Sequence, residues 1–153
     1  MSKKVGLKGL ISATAADGLV RDFEFIDGFV VTLRYMSRTA AQKYADQCSI
    51  RKWNSETKQR EPSLDGDRLQ QMLVEKHVVE WKGLTIAVLK KVVPVDADAL
   101  AAQGVTDDDE VEFTKEAAVD LMSNSGDFEG FVLDMIRSVG HFQRESLEDE
   151  LGN

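Results

Sequence analysis

The stretch VEFTKEAAVDLMSNSGDFEGFVLDMIRSVGHF, residues 111–142, carries the clearest helical pattern in this chain. Its second half spaces apolar residues three and four positions apart, as an amphipathic helix does: Phe128, Phe131, Val132, Met135, Ile136 and Val139. Asp127 is placed to cap this helix and Gly140 to end it. The first half starts at a capping Thr114 and breaks at Ser-Asn-Ser-Gly. The stretch therefore predicts a C-terminal helical hairpin over about residues 114–140.

An N-terminal β-hairpin over about residues 19–36 is the second predicted element. Apolar and polar side chains alternate at residues 22–25 and again at residues 29–35. Asp27 and Gly28 lie between the two runs, and an Asp-Gly pair in that position is a strong signal of a two-residue turn. A hairpin followed by helices predicts an α+β fold that is mostly helical.

Four to six helices are predicted after the hairpin, counting the two at the C-terminus. Three of them are expected near residues 39–50, 67–82 and 96–103. Residues 51–63 are polar and predict a loop. The apolar run at residues 84–95 fits either a short helix or a buried strand, because short apolar runs do not distinguish the two.

The length of 153 residues fits one domain. Residues 1–18 predict a flexible arm or a short helix, residues 19–142 a single globular domain, and residues 143–153 an acidic, frayed tail. The single cysteine, Cys48, has no partner for an internal disulfide, so a reducing compartment is expected. Neither a signal peptide nor an apolar run of the ~18 residues that span a membrane is evident. These features predict a cytoplasmic protein without a membrane partner.

The charge of the chain is unevenly distributed. The net charge of −8 argues against a nucleic-acid partner, because such binding needs a basic face. Residues 1–60 carry 11 basic and 6 acidic side chains, whereas residues 61–153 carry 8 and 21. This polarity is compatible with head-to-tail contact in a homo-oligomer or with attraction of a basic partner to the C-terminal half. Two ordinary solvated surfaces give the same pattern.

Residues with catalytic or metal-binding chemistry are few. Cys48 lies on the predicted inner face of a helix, where a cysteine behaves as a small apolar residue. His77 lies among apolar residues, which favours a packing role. Together with His141 these residues lack the spacing of a zinc site. We therefore predict no catalytic residue, no cofactor and no metal.

Two acidic runs and an aromatic set also have simple interpretations. Residues 107–110 and 64–67 do not follow the ligand pattern of a calcium loop, so solvated loops are expected. Five aromatic residues could line a cofactor site but are more typical of a core: Trp81, Phe113, Phe128, Phe131 and Phe142.

Four phrases of the sequence together resemble one family. They are VVTLRYMSR at residues 30–38, Trp53, VEWKGL at residues 79–84, and the stretch at 111–142. They are similar to the tail assembly chaperones of long-tailed bacteriophages and prophages, over about residues 20–142. The resemblance consists of spaced apolar and aromatic residues without invariant chemistry.

The resemblance implies a non-enzymatic helper in the cytoplasm of the bacterial host. Such chaperones bind the tape measure protein and help to recruit tail tube protein subunits, and they are not expected in the mature virion. The alternative is a structural virion component, such as a tail tube, completion or connector protein. Because most of the 111–142 stripe is expected in the core, partner binding is predicted just beyond it, at Phe142, Leu147 and Leu151.

Overall fold

The computed structural model describes residues 2–143. Helices account for 48% of the described residues and strands for 23%, so the α+β class is confirmed. A mostly helical chain with strands only at its N-terminus is not. The elements are, in chain order, α1 (Ala13–Asp17), β1 (Val20–Ile26), β2 (Phe29–Arg34), α2 (Arg38–Gln47), β3 (Ser49–Asn54), β4 (Gln59–Leu64), α3 (Gly66–His77), β5 (Val78–Lys82), α4 (Ile86–Val92), α5 (Ala97–Gln103), α6 (Lys115–Asn124) and α7 (Gly126–Arg137).

A three-stranded antiparallel sheet with the order β1-β2-β5 forms one layer. Asp27 and Gly28 form the predicted two-residue turn between β1 and β2, both with positive φ. The alternation in β2 sends Phe29, Val31 and Leu33 to one face, where each is fully buried. The predicted hairpin is therefore present, but as two strands of a larger sheet.

The third strand, β5, corrects the prediction of a helix over residues 67–82. That helix, α3, ends at His77, and the chain continues as a strand that pairs with β2. Pairing overrides the helical period because β-branched Val78 and Val79 favour an extended backbone. Trp81 consequently lies on the buried face of the sheet, with its ring 5.7 Å from that of Phe29.

Gly83 brings the chain after β5 against the first turn. Its φ is +77°, and a Cβ at this position would overlap the carbonyl oxygen of Gly28. Only glycine adopts this backbone conformation and leaves room for that approach.

Helices α3, α6 and α7 form the second layer: α3 and α7 contact β2, and α6 contacts both helices. Phe128 of α7 stacks on Phe29 with ring centroids 5.8 Å apart. Ser125 rather than Asp127 caps α7, because its hydroxyl oxygen accepts the amide of Phe128 at 3.1 Å. The helix ends at Arg137, before Gly140, and residues 139–143 are helical again.

The ambiguous run at residues 84–95 contains helix α4. Its cap is Thr85, whose hydroxyl oxygen accepts the amide of Val88 at 3.2 Å. Leu84, Ile86 and Val88 are buried. The capped first turn favours the helix over the strand.

Residues 51–63, predicted as a loop, belong instead to a second hairpin. Strands β3 and β4 pair only with each other among the described strands, with Ser49 opposite Leu64 and Trp53 opposite Arg60. We call residues 49–64 the ribbon. None of its residues is buried, so the alternation that marks a packed strand is absent from its sequence.

Candidate interaction surfaces

His77 and Tyr44 are buried in the core and could in principle carry chemistry, but their polar atoms form structural hydrogen bonds. The Nδ1 atom of His77 lies 3.0 Å from the carbonyl oxygen of Arg34, and Nε2 lies 2.9 Å from the Tyr44 hydroxyl. Since a carbonyl only accepts, Nδ1 carries the proton and Nε2 accepts from Tyr44. Burial lowers the pKa of His77 and raises that of Tyr44, so both are neutral near pH 7. Both ring nitrogens are thus occupied by structural hydrogen bonds.

The other reactive candidates also have structural contacts. Cys48 is fully buried, and its sulfur lies 3.2 Å from that of Met72. His141 is half-buried, and its carbonyl oxygen accepts a hydrogen bond from Arg21. Within residues 2–143, no group of three or more His, Cys, Asp and Glu side chains is arranged to hold a metal ion.

The acidic runs help to fix the backbone. Asp65 caps α3 by accepting the amide of Arg68 at 3.2 Å. Asp107 forms an ion pair with Lys90 at 2.6 Å. The backbone carbonyl oxygen of Asp109 accepts a hydrogen bond from the backbone amide of Ile86 at 2.8 Å. The run at residues 107–110 is therefore attached to the start of α4.

An apolar groove between α4 and α6 offers a docking surface on the described part of the chain. Its volume is about 590 Å³, within the range of roughly 300–1,000 Å³ typical of ligand pockets. We call it the groove, and its lining consists of Trp81, Leu84, Leu89, Val93, Pro94, Val111, Ala117, Asp120, Leu121 and Asn124. Trp81 is held at its base by an indole N–H that donates to the carbonyl oxygen of Val111 at 3.0 Å.

The rim of the groove is acidic. Asp120 and Asn124 line the groove and are exposed on α6, and the acidic run at residues 107–110 directly precedes the lining residue Val111. Residues 96–137 contain 12 acidic and 2 basic side chains, a net charge of −10. The nearby cations of α4 are already paired, Lys90 with Asp107 and Lys91 with Asp27. The groove therefore suits an apolar ligand that also carries positive charge.

Lys115, one of those two basic residues, is directed away from the groove. Its ammonium group donates to the carbonyl oxygens of Val74, Glu75 and Val78, at the C-terminal end of α3. A cation is favourable there because the last carbonyls of a helix lack partners. Burial lowers the pKa of Lys115. The Lys115 ammonium group is thus held at the end of α3 rather than at the groove.

Exposed apolar side chains concentrate in two other places. One is the N-terminal segment of residues 2–12, which we call the arm and whose residues are all exposed. Its large apolar side chains are Val5, Leu7, Leu10 and Ile11. The other is the ribbon, where the Trp53 side chain is 64% exposed. Clusters of this kind mark contact surfaces more often than single exposed residues do.

The predicted partner-binding residues are not brought together on a described surface. Phe142 is only 5% exposed, since it packs edge-on against Phe23 and Tyr35, so its expected availability to a partner was wrong. Leu147 and Leu151 lie outside the described residues.

The groove was not predicted from the sequence, because its residues come from three separate segments. The apolar run at residues 84–95, unusually apolar for an exposed helix, was the one available signal.

The five aromatic residues that could have lined a cofactor site belong to the core. Phe128 is fully buried, Trp81 and Phe142 nearly so, and Phe113 and Phe131 pack against the same cluster.

Comparison of the chain with protein-family models, curated proteins and solved structures finds no match. No helix of the described part is long and apolar enough to cross a membrane.

Proposed function

We propose that this protein is a tail assembly chaperone of a long-tailed bacteriophage or prophage. In this role it binds the tape measure protein and helps to recruit tail tube subunits, in the cytoplasm of the host and without enzymatic activity. The resemblance of residues 30–38, 53, 79–84 and 111–142 supports the family. The groove supports a role in binding.

The groove carries the proposal because it matches the chemistry of such a client. An amphipathic helix binds by laying its apolar stripe in a hydrophobic groove. Asp120 at the rim, with the acidic run that directly precedes the lining residue Val111, adds a preference for basic residues beside that stripe. We therefore infer that the bound segment is a basic, amphipathic helix of the tape measure protein.

Co-expression with the tape measure protein tests this function. The full chain should keep that protein soluble and co-purify with it. A rim variant, Asp120→Lys with Asn124→Lys, should weaken capture at least ten-fold, because it places two cations where the client is basic. The matched control, Ser55→Lys with Glu56→Lys, makes the same charge change on the exposed turn of the ribbon. It should capture normally.

Two results would contradict the proposal. One is a full chain that neither binds nor solubilises the tape measure protein. The other is equal capture by the rim variant and its control, which would show that the groove does not bind the tape measure protein.

A structural virion component remains the second candidate, and the ribbon favours it. A projecting hairpin with two unpaired edges and an exposed Trp53 is suited to contact between subunits of an assembly. Quantitative analysis of purified particles separates the two functions. A virion component is present in fixed stoichiometry, whereas a chaperone is absent.

A further inference from the structure

We propose that the arm of one copy of this chain docks into the groove of a second copy. The proposal deepens the proposed function, since it assigns a second occupant to the site that we give to the client. It links the exposed apolar segment at residues 2–12 to an apolar groove of the same chain.

The arm has the chemistry that the groove accepts. Val5, Leu7, Leu10 and Ile11 are 68%, 69%, 63% and 77% exposed. Lys3, Lys4 and Lys8 give the arm a charge of +3, and residues 2–12 contain no acidic side chain. Four uncovered apolar side chains in one short segment favour burial against an apolar surface.

The groove complements the arm in apolar surface and in charge. Leu89, Val93 and Pro94 offer partly exposed apolar surface on one wall. Asp120 supplies negative charge at the rim, and the run at residues 107–110 directly precedes the lining residue Val111, within a segment, residues 96–137, of net charge −10. Apolar burial provides the affinity and opposite charge fixes the orientation.

The position of the arm favours a second copy over the arm's own groove. Asp17, at the end of α1, lines the same depression as Arg34 and His77, beside the start of β5. The groove includes Trp81, the fourth residue of that strand, and Leu84, which follows its other end. Five residues of β5 span roughly 16 Å. An arm that folded back would use several of its apolar residues as a spacer.

Such a contact is heterologous, because an arm and a groove are different surfaces. Each copy keeps one free arm or one free groove after pairing, so the contact builds rings or open chains. It also means that a client helix competes with a neighbour's arm. The self-associated form would then keep the apolar groove covered until the client arrives.

Light scattering after size-exclusion chromatography tests the contact in the absence of any client. The full chain should form species larger than one chain that grow with concentration. Deletion of residues 2–11, which retains the α1 cap Ser12, should give a single-chain mass. The rim variant Asp120→Lys with Asn124→Lys should also give a single-chain mass. The control Ser55→Lys with Glu56→Lys should assemble like the full chain.

Mixing the two defective proteins gives the sharpest result. The arm-deleted chain keeps its groove, and the rim variant keeps its arm. The arm of the rim variant should therefore bind the groove of the arm-deleted chain, and the mixture should form a complex of two chains that grows no further. Circular dichroism should show both variants folded, as expected for changes at exposed positions.

Three outcomes would overturn the inference: a full chain that stays a single chain at all concentrations, an arm-deleted chain that still assembles, or a mixture without the two-chain complex. Docking of the arm in its own groove would appear as the first of these. Failure to capture the tape measure protein, with assembly intact, would count against the proposed function alone.

Discussion

The two hairpins of this protein differ in what their strands bury. In the first, β2 places Phe29, Val31 and Leu33 in the core, a third strand pairs with its free edge, and helices α3 and α7 pack against it. In the ribbon, no residue is buried, although the two strands pair over their whole length. Antiparallel pairing alone is therefore enough to form a hairpin on this scaffold. Packing of one face decides whether the hairpin stabilises the fold.

The largest effect should come from truncating an aromatic residue in the first hairpin. Phe29→Ala removes a fully buried ring that contacts Phe25, Trp81 and Phe128. Loss of such a ring costs about 3–5 kcal/mol of unfolding free energy. Trp53→Ala, at the exposed position of the ribbon, should change it by less than about 0.5 kcal/mol. Urea denaturation measures both, and similar losses would contradict the contrast between the hairpins.

The next largest effect is expected where the chain passes the first turn. Gly83→Ala combines a positive φ with overlap of the Gly28 carbonyl, so we expect a loss of about 3 kcal/mol. Gly104→Ala is the matched control, because φ is also positive but nothing lies within 4 Å of the added Cβ. It should lose only about 1 kcal/mol. Equal losses would show that the contact with Gly28 carries no extra strain.

The first hairpin could be predicted from sequence because two signals coincide there. Asp27-Gly28 supplies the turn, and alternating side chains supply the buried face. The ribbon has neither signal, since its turn is longer and its strands are polar on both faces. Its turn is stabilised instead by Asn54, whose side-chain oxygen accepts the amides of Glu56 and Thr57. Local hydrogen bonds of this kind leave little trace in a hydrophobic pattern.

The remaining differences have a common cause in tertiary contacts. Residues 78–82 continue the apolar pattern of a helix but become a strand, because β2 offers an edge that needs a partner. The candidate site was less predictable still. Asp120 and Pro94 meet at the groove although they are far apart in sequence, and no local period records that contact. Phe142 was mistaken for a docking residue because apolar character does not show which face is covered.

A pH-dependent effect of intermediate size is expected where the first hairpin is tied to the helices. His77 accepts from Tyr44 and donates to Arg34, and its pKa in the folded state lies below its ordinary value. As the pH falls below about 6.5, the unfolded chain therefore takes up the proton first. The stability present above that pH is lost progressively until the folded pKa is reached, by at most about 1.4 kcal/mol per pH unit.

His77→Gln should remove this dependence while lowering stability at pH 7. Urea denaturation at pH 7.0 and pH 5.5 gives the comparison, and the difference between the two pH values should be smaller in the variant. Carboxylates titrate in both proteins and cancel in the subtraction. Equal pH dependence in the two proteins would mean that His77 is not held neutral by the fold.

The smallest effect on stability should follow from removing the ribbon itself. Its ends are already joined, since the Asp65 amide donates to the Cys48 carbonyl oxygen at 2.8 Å. Replacing residues 49–64 by four residues, such as Gly-Asn-Gly-Ser, loses six cross-strand pairs. Because none of the ribbon's residues is buried, we take each pair at the low end of the usual range, about 0.2 kcal/mol, or about 1.2 kcal/mol in all. The shorter loop regains about 1.2 kcal/mol of closure entropy, from two halvings of its length. We expect a net change within about 1 kcal/mol by urea denaturation. A loss above about 3 kcal/mol would show that the ribbon supports the core after all, and the contrast between the two hairpins would fail.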